Sequence, residues 1–339
     1  MISATIVNSL PKETWREFVE NHPAGNIFHT SEMFEVWERA MGYYPKLWAA
    51  KVDSKVVALM IPVINTLVPG MLKLLTSRTI VFGGVLYEKS EKGKHGLTKM
   101  LEAYQSDSRW ASLFTELRNL SDVSDIQTIL KEANFHYEEH LNYLIKLDYS
   151  AGDVFGKIGA RTRKNIRRGM KRSALDIFEA KDRSQIPACY DLLSQSYKNA
   201  SVPLPDISLF YAAYEILLPR RMIDFTLAKV NGEAAAVSVE LLYKDVVYGW
   251  YGGVDRKFGK YVPGEVVMWK VLERSCNQGY QVYDFGGAGK PDEEYGVRDF
   301  KAKFGGDLVC FGRNTWTSKP LLLAASELGY SLVRRILFN

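Results

Sequence analysis

The sequence predicts an α/β protein built from two copies of one mixed-sheet unit. Three observations carry that expectation. Short apolar runs at period two, such as Leu47–Val52 and Tyr280–Phe285, alternate with stretches of helical spacing such as Val266–Cys276. Small motifs recur in the same order about 170–178 residues later. A chain of 339 residues is also long enough to bury two cores of ordinary size.

Taken in order, Leu10-Pro11 opens a helix carrying Trp15, Phe18 and Val19, and Ser31 caps a second carrying Phe34, Trp37 and Ala40. Strands Leu47–Val52 and Val56–Ile64 flank Asp53-Ser54, which reads as a hairpin turn. A strand at Thr79–Val85 contains Gly83-Gly84. A helix near Lys94–Gln105, a strand at Ser112–Leu117 and a helix near Asp125–Ala133 follow, and a strand at Tyr143–Leu147 closes the first half. The second half repeats the order: Ile186-Pro187 answers Leu10-Pro11, and Ser208-Leu209-Phe210-Tyr211 answers Ser31-Glu32-Met33-Phe34. Ala228-Lys229-Val230-Asn231 likewise answers Ala50-Lys51-Val52-Asp53, and Tyr251-Gly252-Gly253-Val254 answers Phe82-Gly83-Gly84-Val85. The expected domains are residues 1–150 and 151–318, followed by a C-terminal helix at 319–339.

Composition excludes several classes. Charged residues make up 24% and hydrophobic ones 47%, an ordinary globular balance rather than a disordered one. Cys189, Cys276 and Cys310 are odd in number, far apart and in no Cys-x-x-Cys pair, so neither a disulfide framework nor a zinc site is expected. The five histidines show no metal spacing, so no metal is expected. The start lacks a basic segment followed by an apolar one, and no run reaches the length of a membrane span. A reducing cytoplasm is the expected compartment.

The net charge of +5 is mild, so any polyanion site must rest on where the cations lie. They concentrate between the two copies. Residues 157–172 hold eight cations and no acid, among them Arg163, Lys164, Arg167 and Arg168. At helical spacing Ile158, Thr162, Ile166 and Met170 share one face and leave the cations to the rest. A polyphosphate, an RNA backbone or an anionic membrane surface would each relieve their repulsion; so would acids elsewhere in the fold, if the segment is only a linker.

The chemistry is expected at the end of the strand Tyr280–Phe285. It runs into Gly286, Gly287 and Gly289, whose freedom at positive φ lets a ligand approach the backbone. A charged loop with Arg298 then delivers Phe300-Lys301. The first copy has Arg118-Asn119-Leu120 in place of the glycines. Asp284, at the strand end, has the position of a general base or of a turn-bonding aspartate.

The run Tyr283-Asp284-Phe285-Gly286-Gly287, with Phe300-Lys301 thirteen residues after Gly287, resembles the C-terminal signature of the FemABX peptidyltransferases. That resemblance spans nearly the whole chain. It implies two tandem GNAT-like acyl-N-acyltransferase domains, each a mixed sheet flanked by helices. It further implies transfer of an amino acid from aminoacyl-tRNA to a phosphorylated or lipid-linked peptidoglycan precursor, with no bound cofactor. By the same resemblance, Lys301 steadies the oxyanion and Phe300 shapes the pocket for the tRNA end. Tyr251, Lys198 and Glu116 fall where the family contacts its substrates. His29 and Glu35 depart from the glutamine and lysine that the family carries on its first helix.

A coenzyme A-dependent GNAT acyltransferase binds pyrophosphate with an Arg/Gln-x-x-Gly-x-Gly/Ala loop. Here the stretch is Arg256-Lys257-Phe258-Gly259-Lys260-Tyr261, and the bulk of Tyr261 opposes that use. A coenzyme A-dependent N-acyltransferase of exopolysaccharide or capsule assembly stays open as an alternative. So does a non-catalytic protein that binds RNA or a membrane surface. The run Pro320–Phe338, with Arg334 and Arg335 beside Ile336, Leu337 and Phe338, adds an expectation of peripheral membrane contact.

Overall fold

The computed structural model describes residues 2–66 and 76–326. The chain opens with β1 (Thr5–Val7), α1 (Lys12–Asn21) and α2 (Ser31–Arg39), then β2 (Tyr43–Pro45), β3 (Trp48–Val52), β4 (Lys55–Met60) and β5 (Pro62–Thr66). After β6 (Ser77–Gly83) and β7 (Leu86–Tyr87) come α3 (Glu91–Ser108), β8 (Phe114–Asn119), α4 (Gln127–Glu132), β9 (His136–Glu138) and β10 (Leu141–Lys146). Helix α5 (Ala151–Lys157) leads into the basic segment, which forms α6 (Ala160–Met170), and β11 (Leu175–Glu179), α7 (Ile186–Asn199) and α8 (Ile207–Leu217) follow it. The chain continues with β12 (Ile223–Val230), β13 (Glu233–Tyr243), β14 (Val246–Val254), α9 (Pro263–Asn277) and β15 (Val282–Gly287). Then come α10 (Gly296–Ala302), β16 (Asp307–Cys310) and β17 (Arg313–Thr317).

Contacts divide the chain into two compact units: Met1–Glu139 with the segment from Phe311 onward, and His140–Cys310. In the first unit, β1-β3-β4-β7 form one sheet and β2-β5-β6-β8-β17-β9 another. Leu97, Met100, Leu101 and Tyr104 of α3 pack on Ala50, Val57 and Ala58, so the helix stripe and the strand alternation close one core. Val56–Ile64 is two strands rather than one. β4 stops at Met60, and β5 starts at Pro62, which has no N–H for a ladder, and joins the other sheet. Thr30 rather than Ser31 caps α2, accepting from Met33 N–H at 3.1 Å.

The second unit has one seven-stranded sheet, β11-β12-β13-β14-β15-β10-β16. Strand β10, expected to close the first half, instead pairs antiparallel with β15 and β16 and contributes Ile145 to this unit's core. β17, near the chain's end, fills the matching place beside β8. Along β12, Thr226 and Ala228 face α9, while Phe225, just before them and on the opposite face, meets Tyr214 of α8, so helices cover both faces.

The repetition read from the sequence is present in three dimensions. Both hairpins turn through left-handed pairs, Asp53-Ser54 (φ 49° and 65°) and Asn231-Gly232 (φ 51° and 85°), the geometry that suits strand twist. In each unit a strand, a helix and a parallel strand follow: β6, α3 and β8 in one, β14, α9 and β15 in the other.

The basic segment bends at Gly159, whose N–H donates to Lys303 O at 3.0 Å. Ile158, Thr162 and Ile166 are buried as expected, but Met170 is 45% exposed. Gly169 occupies the contact instead, because a Cβ there would come within 2.6 Å of Val266 on α9. The C-terminal helix expected over 319–339 falls largely outside the described residues, which stop at 326. Among those described, no helix is long and apolar enough to cross a membrane.

Candidate active site

Two irregularities in the second sheet create the site. β14 and β15 run parallel through Val246↔Val282, Val247↔Tyr283 and Tyr248↔Asp284, and their pairing ends there although both strands continue. On its other edge β14 carries a bulge: Glu240 faces Gly249 and Val239 faces Tyr251, which leaves Trp250 over. Consecutive residues therefore turn to one face. Trp250 lies 6.0 Å and Tyr251 5.0 Å, ring to ring, from Phe210 of α8, and Tyr251 also approaches Tyr197 of α7 at 5.8 Å. Burial pushes the Tyr197 phenol up to about 12, so it is a neutral donor.

At the exit of β15, Lys301 is a buried cation, only 8% exposed. Helix α10 aims its ammonium at the glycine run: Nζ donates to Phe285 O and Gly287 O at 2.7 Å each, with Gly286 O at 3.4 Å. Two of its three protons are firmly placed and the third weakly. Asp284, 5% exposed, accepts from Gly286 N–H at 2.7 Å and from Asn142 of β10 at 3.4 Å. Burial lifts the Asp284 carboxyl to about 6, against the opposing pull of the Gly286 N–H and the Lys301 charge. Burial likewise lowers the Lys301 ammonium to about 8, and Asp284 partly restores it. Near neutrality the two are a buried ammonium and carboxylate that stabilise each other's charge.

Gly286 is required between them. Its φ is +69°, and a Cβ there would sit 2.8 Å from the Tyr248 hydroxyl. Tyr248, on the splay point, was not singled out in the sequence; its only signal is its place before the Gly249-Trp250-Tyr251 run.

The other expected residues are engaged in contacts of their own. Arg298 turns to its own loop, donating to Ala288 O at 2.7 Å, Pro291 O at 3.2 Å and Lys290 O. Its guanidinium is spent on holding that loop. Phe300 packs 5.3 Å from Phe304 at the α9-side core, with Lys303 over its ring. Lys198 is exposed in the last turn of α7. Glu116 belongs to the first unit, on β8, and is clamped by Arg118 at 2.6 Å and Arg313 at 3.3 Å. Burial raises its carboxyl, but the two guanidiniums outweigh that and hold it below the ordinary range.

The loop that would cradle a pyrophosphate is Arg256–Tyr261, a 3-10 turn ahead of α9. Arg172 lies 4.9 Å over the Tyr261 ring and donates to Lys260 O at 2.6 Å. The first turn of α9 contains Pro263, which has no N–H, and Glu265, which sits 3.6 Å from Lys303. A helix start that already faces a carboxylate is a poor seat for a second anion.

A second buried polar group underlies the sheet. Glu240 of β13 is wholly buried; its Oε1 accepts from Ser238, and the Tyr283 hydroxyl lies beside the carboxyl. Burial pushes this carboxyl up to about 7. The sequence signal was a lone acid within the apolar run Ala234–Leu242. Among the described residues, no group of three or more possible ligands gathers as a metal site.

Residues 160–301 match the family model described as an acetyltransferase (GNAT) domain. The structure is similar to that of FemX, with a TM-score of 0.73 and 16% identity over 95% of this chain and 100% of that one. It is similar to a tandem GNAT protein from the clavulanic acid biosynthesis pathway, with a TM-score of 0.59 and 9% identity over 93% and 99% of the two chains. It is also similar to the C-terminal domain of a putative lysylphosphatidylglycerol synthetase from Agrobacterium fabrum, at 0.58 and 14% over 92% and 94%. No curated protein sequence matches the chain. At these identities the likeness to solved structures is one of fold. The chain has a FemX-like fold of two GNAT-like units, and residues 160–301, in the second unit, match the acetyltransferase (GNAT) domain model.

Proposed function

We propose that the second unit transfers an aminoacyl group from a charged tRNA to an amine of a peptidoglycan-type precursor. The observation that carries this reading is the buried Lys301 ammonium at the splay of β14 and β15, supplied by the Phe-Lys segment that the FemABX peptidyltransferases share. An aminoacyl ester is already activated, so the enzyme needs alignment and a fixed positive charge more than a nucleophile. The acceptor nitrogen attacks the ester carbonyl and forms the C–N bond. The oxyanion accepts a hydrogen bond from the third Lys301 N–H, the one only weakly held by Gly286 O, and the ammonium keeps its charge. Collapse breaks the C–O bond to the ribose, and the proton lost by the amine ends on that ribose oxygen.

Asp284 serves as counter-charge and as the clamp on Gly286 rather than as the base, since its Oδ1 is engaged by the backbone. Trp250 and Tyr251 pack beyond the splay point of β14 against Phe210 of α8. The likeness to FemX and to a domain named for lysylphosphatidylglycerol synthesis supports an aminoacyl donor and a cell-wall or lipid acceptor. Charged tRNA is made in the cytoplasm, which places the work there, at the inner membrane face where the acceptor is lipid-linked.

The GNAT acetyltransferase match favours coenzyme A as the second reading; Glu265 at the α9 start opposes it. The test is incubation with a mixed charged-tRNA pool and muropeptide precursors, read by mass gain on the acceptor. One aminoacyl increment supports the proposal. No gain, together with thermal protection by acyl-coenzyme A, overturns it.

A further inference from the structure

We infer that the exposed stripe of α6 is a docking track for the sugar-phosphate backbone of RNA. Arg161, Lys164, Arg168 and Lys171 follow one another at steps of three and four residues, and all four are exposed. At about 1.5 Å rise per residue they form a row about 15 Å long, with a charge roughly every 5 Å. Among the described residues, no carboxylate lies within 4.0 Å of any of them. Among the described residues the row is therefore not neutralised by paired acids.

The flanking guanidiniums are held without being neutralised. Arg163 donates to Gly156 O, Arg167 lies 5.1 Å over Phe155, and Arg172 is fixed by Lys260 O and the Tyr261 ring. Carbonyls and ring faces position a cation and leave its charge to be answered by something else. Like charges at this spacing repel, and a chain of regularly spaced phosphates would relieve that repulsion along the whole row.

A bilayer fits less well. A helix that lies in a membrane surface presents an apolar face to it, whereas Thr162, Ile166 and Gly169 of α6 are buried in the protein. Only Met170 stands out, at 45% exposure. The inference deepens the aminoacyl-tRNA reading by assigning the donor's RNA body a place on this unit, and it rests on that reading for its role in transfer.

The experiment uses the full chain and a quadruple variant (R161Q, K164Q, R168Q, K171Q), with matching thermal melts as the check on folding. Binding of labelled, uncharged tRNA is measured over about 50–200 mM salt, beside flotation on phosphatidylglycerol vesicles. The wild type is expected to bind tRNA with a steep salt dependence. The variant is expected to flatten the slope of log K against log salt by about 3, at 0.7–0.9 for each lost phosphate contact. An unchanged tRNA slope, or loss of vesicle binding with tRNA binding intact, overturns the inference. Transfer is then compared from whole charged tRNA and from a short aminoacylated oligonucleotide, and the variant is expected to fail only with the first. If neither protein transfers from either donor, the catalytic reading falls while the binding result stands by itself.

Discussion

Replacing Lys301 by Met keeps the bulk of the side chain and removes its charge, and the structure sets the expected cost. Burial holds the Asp284 carboxyl at about 6 even with Lys301 beside it, well above the ordinary aspartate range, and keeping it ionised at neutral pH costs roughly 3 kcal/mol. Without the ammonium that carboxylate is buried and uncompensated, and the carbonyls of Phe285 and Gly287 lose their donor. Breaking such a pair from one side costs about 3–5 kcal/mol. The sign of the pH dependence follows. An acid whose folded pKa is raised destabilises the fold as pH climbs from its unfolded value through the folded one. The Lys301→Met penalty is therefore expected to be large at pH 8 and to shrink at pH 5, where Asp284 holds its proton. The double variant Lys301→Met/Asp284→Asn removes both charges and is expected to recover most of the stability at pH 8 without recovering transfer. Urea melts at the two pH values, with transfer assays on the same preparations, read all of this. A Lys301→Met protein as stable as the wild type at pH 8, or a double variant no better than the single one, would refute the reasoning.

Glu240→Gln should raise stability at pH 8 by up to roughly 3 kcal/mol and have little effect at pH 4.5, because the wild-type carboxyl, lifted to about 7 by burial, weakens the fold as pH rises from its ordinary value through that point. Urea midpoints across that range check it. Gly286→Ala places a Cβ at a φ of +69° against the Tyr248 hydroxyl, and is expected to cost roughly 1–3 kcal/mol and to lower transfer sharply; an unchanged Tm would contradict the geometry. Arg298→Ala frees the carbonyls of Ala288, Lys290 and Pro291, so kcat/KM should fall about tenfold while global stability moves by less than about 1 kcal/mol. Faster limited proteolysis within residues 290–296 would accompany it.

Much of this was legible in the residues because local rules and tertiary structure agree. Asp53-Ser54 and Asn231-Gly232 tolerate the left-handed turn that a hairpin needs, and the order of motifs carried the duplication. Gly286 and Lys301 stood out because glycines at a strand end and a cation on a returning loop seldom serve packing alone. What escaped was pairing. Period-two alternation marks Leu141–Lys146 as a strand but does not say that its neighbours are β15 and β16. The bulge at Trp250 depends on the partner strand's register, which no single-strand pattern contains. Arg298 looked like a ligand contact because a sequence does not show whether a guanidinium faces outward or its own loop's carbonyls.

The central claim is that the buried Lys301 charge drives aminoacyl transfer at the β15 exit. Its most direct test is the single-turnover rate of amide formation from a charged-tRNA pool, measured for the wild type and Lys301→Met at pH 7, below the ammonium's pKa of about 8. Losing one preorganised oxyanion donor predicts a rate lower by about 10²–10³ with acceptor binding retained. An equal rate in the two proteins would contradict the account.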